Sequence, residues 1–247
     1  MKNITDMSDS KSRIEDARLI MDLFHRLSMH HAMWFAEVKQ QLGKEKAFNA
    51  LREVYDKSFE IHMRRLSKSL GFEMVDGVPG PLLELPEETI GKLKESIGLN
   101  WLANDGLWFQ AVEFSENMTM AKQCNDACWE EFSPLEAWSI KKLLHMSDNP
   151  GLEGLKQAFR YRFYEFINKQ SITDETDNSF IFRMNDCRVQ SARKRKGLDD
   201  YPCKSAGIIE YTTFAATIDS RIKTICIGCP PDRHPEEWYC SWKFSID

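Results

Sequence analysis

The hydrophobic period changes once along the chain, near Asp177, and that change limits the fold more than any other feature of the sequence. Before it, apolar residues recur every three or four positions, the spacing of one helix face. Ile14, Ala17, Met21, Phe24 and Leu27 continue through Trp34 and Val38 and predict a helix over 10–42. Gly43 interrupts the run. Ala47, Leu51, Val54, Ile61, Leu66 and Leu70 predict a second helix over 44–70, with Gly71 as its C-terminal cap. Three prolines and two glycines between Phe72 and Pro86 predict a loop, and helices resume over 87–98, 100–116 and 152–169. Ser133-Pro134-Leu135-Glu136 has the residues of a helix start: a capping Ser, a Pro suited to the first position, and a Glu placed for a capping box.

After Asp177 the period is two. Phe180, Phe182 and Met184 alternate with Ile181, Arg183 and Asn185, which predicts a strand running to about 190. Arg193 to Asp200 reads as a basic loop, Cys203 to Ile218 as a helix, and Ile222 to Gly228 and Glu237 to Ile246 as strands. The expected class is α+β. A mainly helical region, residues 1–171, precedes a small antiparallel-sheet region, residues 172–247, ordered strand-helix-strand-strand and packed with it as one unit. Inside the helical region, Trp34-Phe35-Ala36-Glu37-Val38 matches Trp108-Phe109-Gln110-Ala111-Val112 at an offset of 74 residues. Ala47 and Ala121, and Tyr55 and Trp129, fall at the same offset. A duplicated helical hairpin produces this pattern; so does chance agreement between two amphipathic helix pairs.

Composition removes several functions. With 247 residues, 42% of them apolar, and fifteen Phe and seven Trp, the chain can bury a sizeable core. A net charge of −5 argues against nucleic acid as a partner, and the basic run Arg193-Lys194-Arg195-Lys196 has no aromatic residues interleaved for base stacking. No apolar run approaches the roughly 20 residues that span a bilayer, so no membrane role is expected. The polar start Met1-Lys2-Asn3-Ile4-Thr5-Asp6 does not read as a signal peptide. Seven cysteines, an odd number in a chain that needs no disulfide staples, suggest the reducing cytoplasm. Homo-oligomers are compatible with all of this. Gly-rich phosphate loops, nucleophile elbows and H-E-x-x-H motifs are absent from the sequence.

Five of the seven cysteines fall in the last 61 residues: Cys187, Cys203, Cys226, Cys229 and Cys240. Cys226-Ile227-Gly228-Cys229 ends a strand, and a C-x-x-C lets two thiolates converge on one ion. Cys240 lies on the inward face of the next strand, and Cys203 stands at a helix start, where the helix N-terminus favours a thiolate. Cys203, Cys226, Cys229 and Cys240 therefore form a candidate zinc set, with His234 or Cys187 as substitutes. Ordinary buried thiols are the alternative.

The run Cys203-Lys204-Ser205-Ala206-Gly207, its helix, then Cys226-x-Gly228 and Trp238-x-Cys240-x-Trp242 resembles the C-terminal half of the 4-vinyl reductase domain, a small-molecule-binding α+β module. The resemblance implies zinc held by Cys203, Cys226 and Cys240, with a Glu to which it gives no position. Over most of its length the chain also resembles a family of cytosolic proteins from anaerobic bacteria, through Trp34-Phe35-Ala36-Glu37-Val38, Asn100-Trp101-Leu102-Ala103-Asn104-Asp105-Gly106 and Arg183-Met184-Asn185-Asp186-Cys187-Arg188-Val189-Gln190-Ser191. That family is distantly similar to the L-2-aminothiazoline-4-carboxylate hydrolases.

Arg183, Asn185, Asp186, Arg188 and Gln190 place hydrogen-bonding capacity on one predicted strand, a candidate site for an anionic small-molecule ligand. The expected function is a cytoplasmic small-molecule-binding protein with a structural zinc ion. Its rivals are a hydrolase of a small cyclic amidine or amide, with Cys187 as candidate nucleophile, and a regulatory or protein-interaction module.

Overall fold

Gly43 reverses the chain between two long helices, α1 (Ile4–Leu42) and α2 (Lys44–Leu70), and its φ of +84° is a conformation that L side chains resist. The computed structural model describes residues 4–195, 197 and 200–247, with side chains described from residue 12 onward. It divides into two units, Met1–Leu85 and Pro86–Asp247. In the first unit, α1 and α2 form an antiparallel hairpin in which Phe35 meets Phe48 edge-on at 5.3 Å and His31 meets His62 at 6.2 Å. Gly71 caps α2 in the left-handed region, its N–H donating to Ser67 O, as its position predicts. The expected loop over 72–86 is more ordered than that. Strands β1 (Met74–Val75) and β2 (Val78–Pro79) pair about Asp76-Gly77, both at positive φ, and α3 (Gly80–Leu83) follows. Asp-Gly is a strong turn signal for such a tight hairpin, and it stood in the sequence.

The second unit begins with another helical hairpin, α4 (Glu87–Ser115) and α5 (Met118–Leu143), whose turn is capped by Asn117 accepting from Met120 N at 2.9 Å. Two expectations change here. The helices predicted over 87–98 and 100–116 are one helix. Ser133-Pro134 starts nothing: it lies inside α5, where Ser133 Oγ donates to Glu210 O at 2.7 Å and the backbone continues past the proline. Pro134 removes one helical hydrogen bond, and burial of Ser133, Glu136 and Ala137 against the next layer offsets the loss.

Next come α6 (Gly151–Phe159), a single 3₁₀ turn (Phe163–Phe166), β3 (Lys169–Thr176) and β4 (Ser179–Asp186), then α7 (Arg188–Arg195), α8 (Lys204–Ile218), β5 (Lys223–Gly228) and β6 (Cys240–Ser245). The sheet is antiparallel in the order β3-β4-β6-β5. One strand more than expected is present, because polar Lys169–Thr176 carries too weak an alternation to read. The strand predicted to reach 190 stops at Asp186, and α7 replaces its end and the first three residues of the expected basic loop, Arg193 to Arg195. Lys196, the last residue of the basic run, lies outside the described residues.

The strand register explains the core. Phe180 pairs with Phe244, Phe182 with Trp242 and Met184 with Cys240, so one sheet face is a continuous apolar surface. Helix α8 lies on that face, with α5 over its other side. A helix between two layers needs apolar residues all round, and Ala206, Tyr211, Phe214, Ala215 and Ile218 supply them. Gly207 is required at the closest approach, where a Cβ would fall 2.9 Å from Trp242 Cζ2. Among the described residues no helix is long and apolar enough to cross a membrane.

Candidate functional site

Between the α4–α5 hairpin and the layer formed by α7, α8 and the sheet, the second unit holds a half-open cavity of about 410 Å³. Its size falls in the ordinary range for small-molecule sites. Rings from both sides wall it: Phe109 and Trp129 from the hairpin, Tyr164 from the 3₁₀ turn, and Tyr201, Tyr211 and Trp242 from the opposite layer. Trp129 stacks on Tyr164 at 6.0 Å, and Tyr211 stacks on Trp242 at 4.7 Å, so the walls support one another.

Four of the five C-terminal cysteines reach this cavity: Cys187, Cys203, Cys229 and Cys240. Their elements explain the convergence. Cys203 is the N-cap of α8, Cys229 follows the end of β5, and Cys240 opens β6. Cys203 Sγ lies 3.5 Å from Cys229 Sγ, and Cys229 is also within hydrogen-bonding reach of Cys240. The contact with Cys229 holds the Cys203 thiol below its ordinary value against the cost of burial, and Gln190 Nε2 adds a second contact at 3.5 Å. The same cluster drives the Cys229 thiol strongly upward. Cys226 pairs with Trp242 across β5–β6 and so shares the inward face, half-buried against the core, but it does not line the cavity. Among the described residues, no three His, Cys, Asp or Glu side chains are arranged as a preformed metal site.

His234, the substitute ligand, is held elsewhere. Nε2 contacts Asp200 Oδ2 at 2.8 Å and Nδ1 contacts Pro235 O at 2.8 Å, so both ring nitrogens are engaged. Burial opposes its charge, but these partners prevail and its pKa is raised. Cys187 lies in the cavity wall, where burial pushes its thiol up to about 12.

The residues expected to bind an anion are dispersed. Gln190 lines the cavity, its Nε2 donating to Tyr201 O at 2.8 Å. Arg183 faces Asp174 at 3.5 Å across β3–β4, and Asn185 donates to Glu237 O at 3.2 Å. Asp186 accepts from Ser191, and Arg188 begins α7 with its N–H on Asn168. None of these four is in the cavity lining. The strand ends at Asp186, and the alternation that would have put them in line ends with it.

Sequence reasoning passed over the charged group behind the wall. Arg162, 1% exposed, donates from Nε to Glu136 Oε2 at 2.8 Å and pairs through Nη2 with Glu210 Oε1 at 2.7 Å. Glu210 lines the cavity, and burial raises its carboxyl to about 7 although Arg162 opposes the shift. Asp105 of α4 also lines the cavity, and burial raises it as well. No spacing in the sequence links residues 105, 136, 162 and 210; only tertiary packing does.

No curated protein and no solved structure matches the chain. A family model matches residues 83–246, beginning within three residues of the second unit. The chain belongs to this family, the family of unknown function DUF6125.

Proposed function

We propose that Pro86–Asp247 is a small-molecule-binding module and that the aromatic cavity is its ligand site. One observation carries the reading: rings from the helical hairpin and from the α+β layer close around one space that ends on thiols from three separate elements. Side-chain donors and acceptors beside a mainly apolar wall are what a small-molecule site needs for orientation.

The reading includes a structural zinc ion held by Cys203, Cys229 and Cys240, with Cys226 or Cys187 completing the set. Two sulfurs on a tetrahedral zinc lie about 3.8 Å apart, close to the 3.5 Å between Cys203 and Cys229. Closing such a site would add its binding energy to folding. The resemblance to the 4-vinyl reductase domain supports Cys203 and Cys240, and assigns the third sulfur to Cys226 instead of Cys229. Metal analysis of the full chain should find one zinc per chain, lost in Cys203→Ser, Cys229→Ser and Cys240→Ser and kept in Cys124→Ser. Folded protein without zinc would remove the ion from the reading, and protein isolated from its host without a small molecule by native mass spectrometry would count against the cavity.

Hydrolysis of a small cyclic amidine or amide is the second reading, and one observation favours a changed nucleophile for it. A thiol pushed up to about 12 is protonated at neutral pH, which argues against Cys187. Cys203 lines the same cavity, stands at a helix N-terminus and is shifted toward its thiolate. Turnover lost in Cys203→Ala and kept in Cys187→Ala would support this reading; the reverse would end it.

A further inference from the structure

The charges around the cavity do not balance. One guanidinium, Arg162, serves two buried carboxylates, Glu136 and Glu210. Asp105 adds a third carboxylate, largely desolvated and with no hydrogen bond or ion pair among the described residues. The lining also holds Glu113 and Arg193, one charge of each sign, and Arg193 is its only basic side chain among the described residues. With Lys122, whose ammonium lies 5.0 Å over the ring of Tyr201, four carboxylic groups thus stand beside three cations. A carboxylate taken out of water without a counter-charge is costly, and a cation beside it recovers much of that cost.

The rest of the wall points the same way. Ring faces carry negative potential and attract cations, and Arg162 against Tyr164 and Tyr211 and Lys122 over Tyr201 already use three of them so. Two polar atoms of the wall are buried without a partner: Nε1 of Trp242, which is 1% exposed, and the hydroxyl of Tyr201. An indole N–H can only donate, so Trp242 calls for an acceptor on whatever fills the space.

We propose that the occupant is a small organic cation, a protonated amine on a flat apolar body that carries a hydrogen-bond acceptor. The ammonium pairs with Asp105 and Glu210, the body packs among the rings, and the acceptor takes the Trp242 N–H. This rests on the cavity being a ligand site. An anion would meet like charge there, and Arg183 and Arg188 are not in the lining to neutralise it.

Calorimetric titration of the full chain with three probes of matched shape, 2-phenylethylamine, 2-phenylethanol and phenylacetate, tests the inference. The amine should bind about tenfold or more tightly than the alcohol, and the carboxylate should bind weakest. In Asp105→Asn the amine should fall to within about twofold of the alcohol, which should still bind. Equal binding of amine and alcohol, or tightest binding of phenylacetate, overturns the cation and leaves the cavity reading standing. Binding of none of the three overturns both. The preference of the unmodified chain decides the matter even if Asp105→Asn does not fold.

Discussion

The α1–α2 and α4–α5 hairpins share a local code and have different fates. At the 74-residue offset Gly43 and Asn117 both precede the second helix, and Ala47 and Ala121, each 1% exposed, occupy the same place just beyond the turn. Trp34 and Trp108 are both largely exposed. Beyond this the pair diverge. Ala47 is the only buried residue of α1 and α2 among those whose side chains are described. Helix α5 buries Trp129, Ser133, Glu136, Ala137 and Ile140, because α8 and the 3₁₀ turn pack on it. A hairpin becomes the wall of a site only when a second layer gives its inward face something to enclose.

The sharpest way to break this contrast is to remove a charge from each unit. Arg162→Leu strands Glu136 and Glu210 in the interior and should cost about 3–5 kcal/mol in denaturant unfolding. Arg64→Leu removes an exposed helix pair with Glu60 and should cost less than about 0.5 kcal/mol. Similar losses from both would mean that the second layer does not bury its charges. Next in size, Trp129→Ala should destabilise by about 3–5 kcal/mol, whereas Tyr55→Ala, at the equivalent place but 43% exposed, should cost under half of that.

Protonation sharpens the contrast within the second unit. Burial raises the Glu210 carboxyl from 4.5 to about 7, so the folded state holds its proton more tightly than the unfolded chain does. Its contribution to stability is full below about 4.5 and is lost as pH rises through about 7. Unfolding free energy measured from pH 4.5 to 7.5 should contain this decline, and Glu210→Gln should flatten it. A slope unchanged in the variant would assign the titration elsewhere. The smallest effects should be alike in the two hairpins: Ala47→Leu and Ala121→Leu each overpack a tight turn and should each cost about 1–3 kcal/mol.

These outcomes also mark what sequence can carry. The helical hairpin ended by Gly43 and Gly71, the helix after Cys203 and the strands holding Phe182, Cys226 and Trp242 were all legible, because period and turn chemistry are local. Strand β3 was not, since Lys169–Thr176 offers little hydrophobic alternation and its pairing with β4 decides it. Nor was α7, whose Arg188-Val189-Gln190-Ser191 continues the look of a strand after Asp186 has ended one. The gathering of Cys203, Cys229 and Cys240 could be anticipated from their density. The Glu136–Arg162–Glu210 group could not, because three charges 26 and 48 residues apart become neighbours only after α5 and α8 pack.

The indole N–H signals of ¹⁵N-labelled full-length protein, followed during titration with 2-phenylethylamine, test the account most directly. Trp242 and Trp129 line the cavity, while Trp34 and Trp108 sit at equivalent exposed places on the two hairpins. The account predicts that the Trp242 and Trp129 signals move together and saturate while those of Trp34 and Trp108 stay fixed. Movement confined to Trp34 and Trp108, with Trp242 unmoved at saturation, would contradict it.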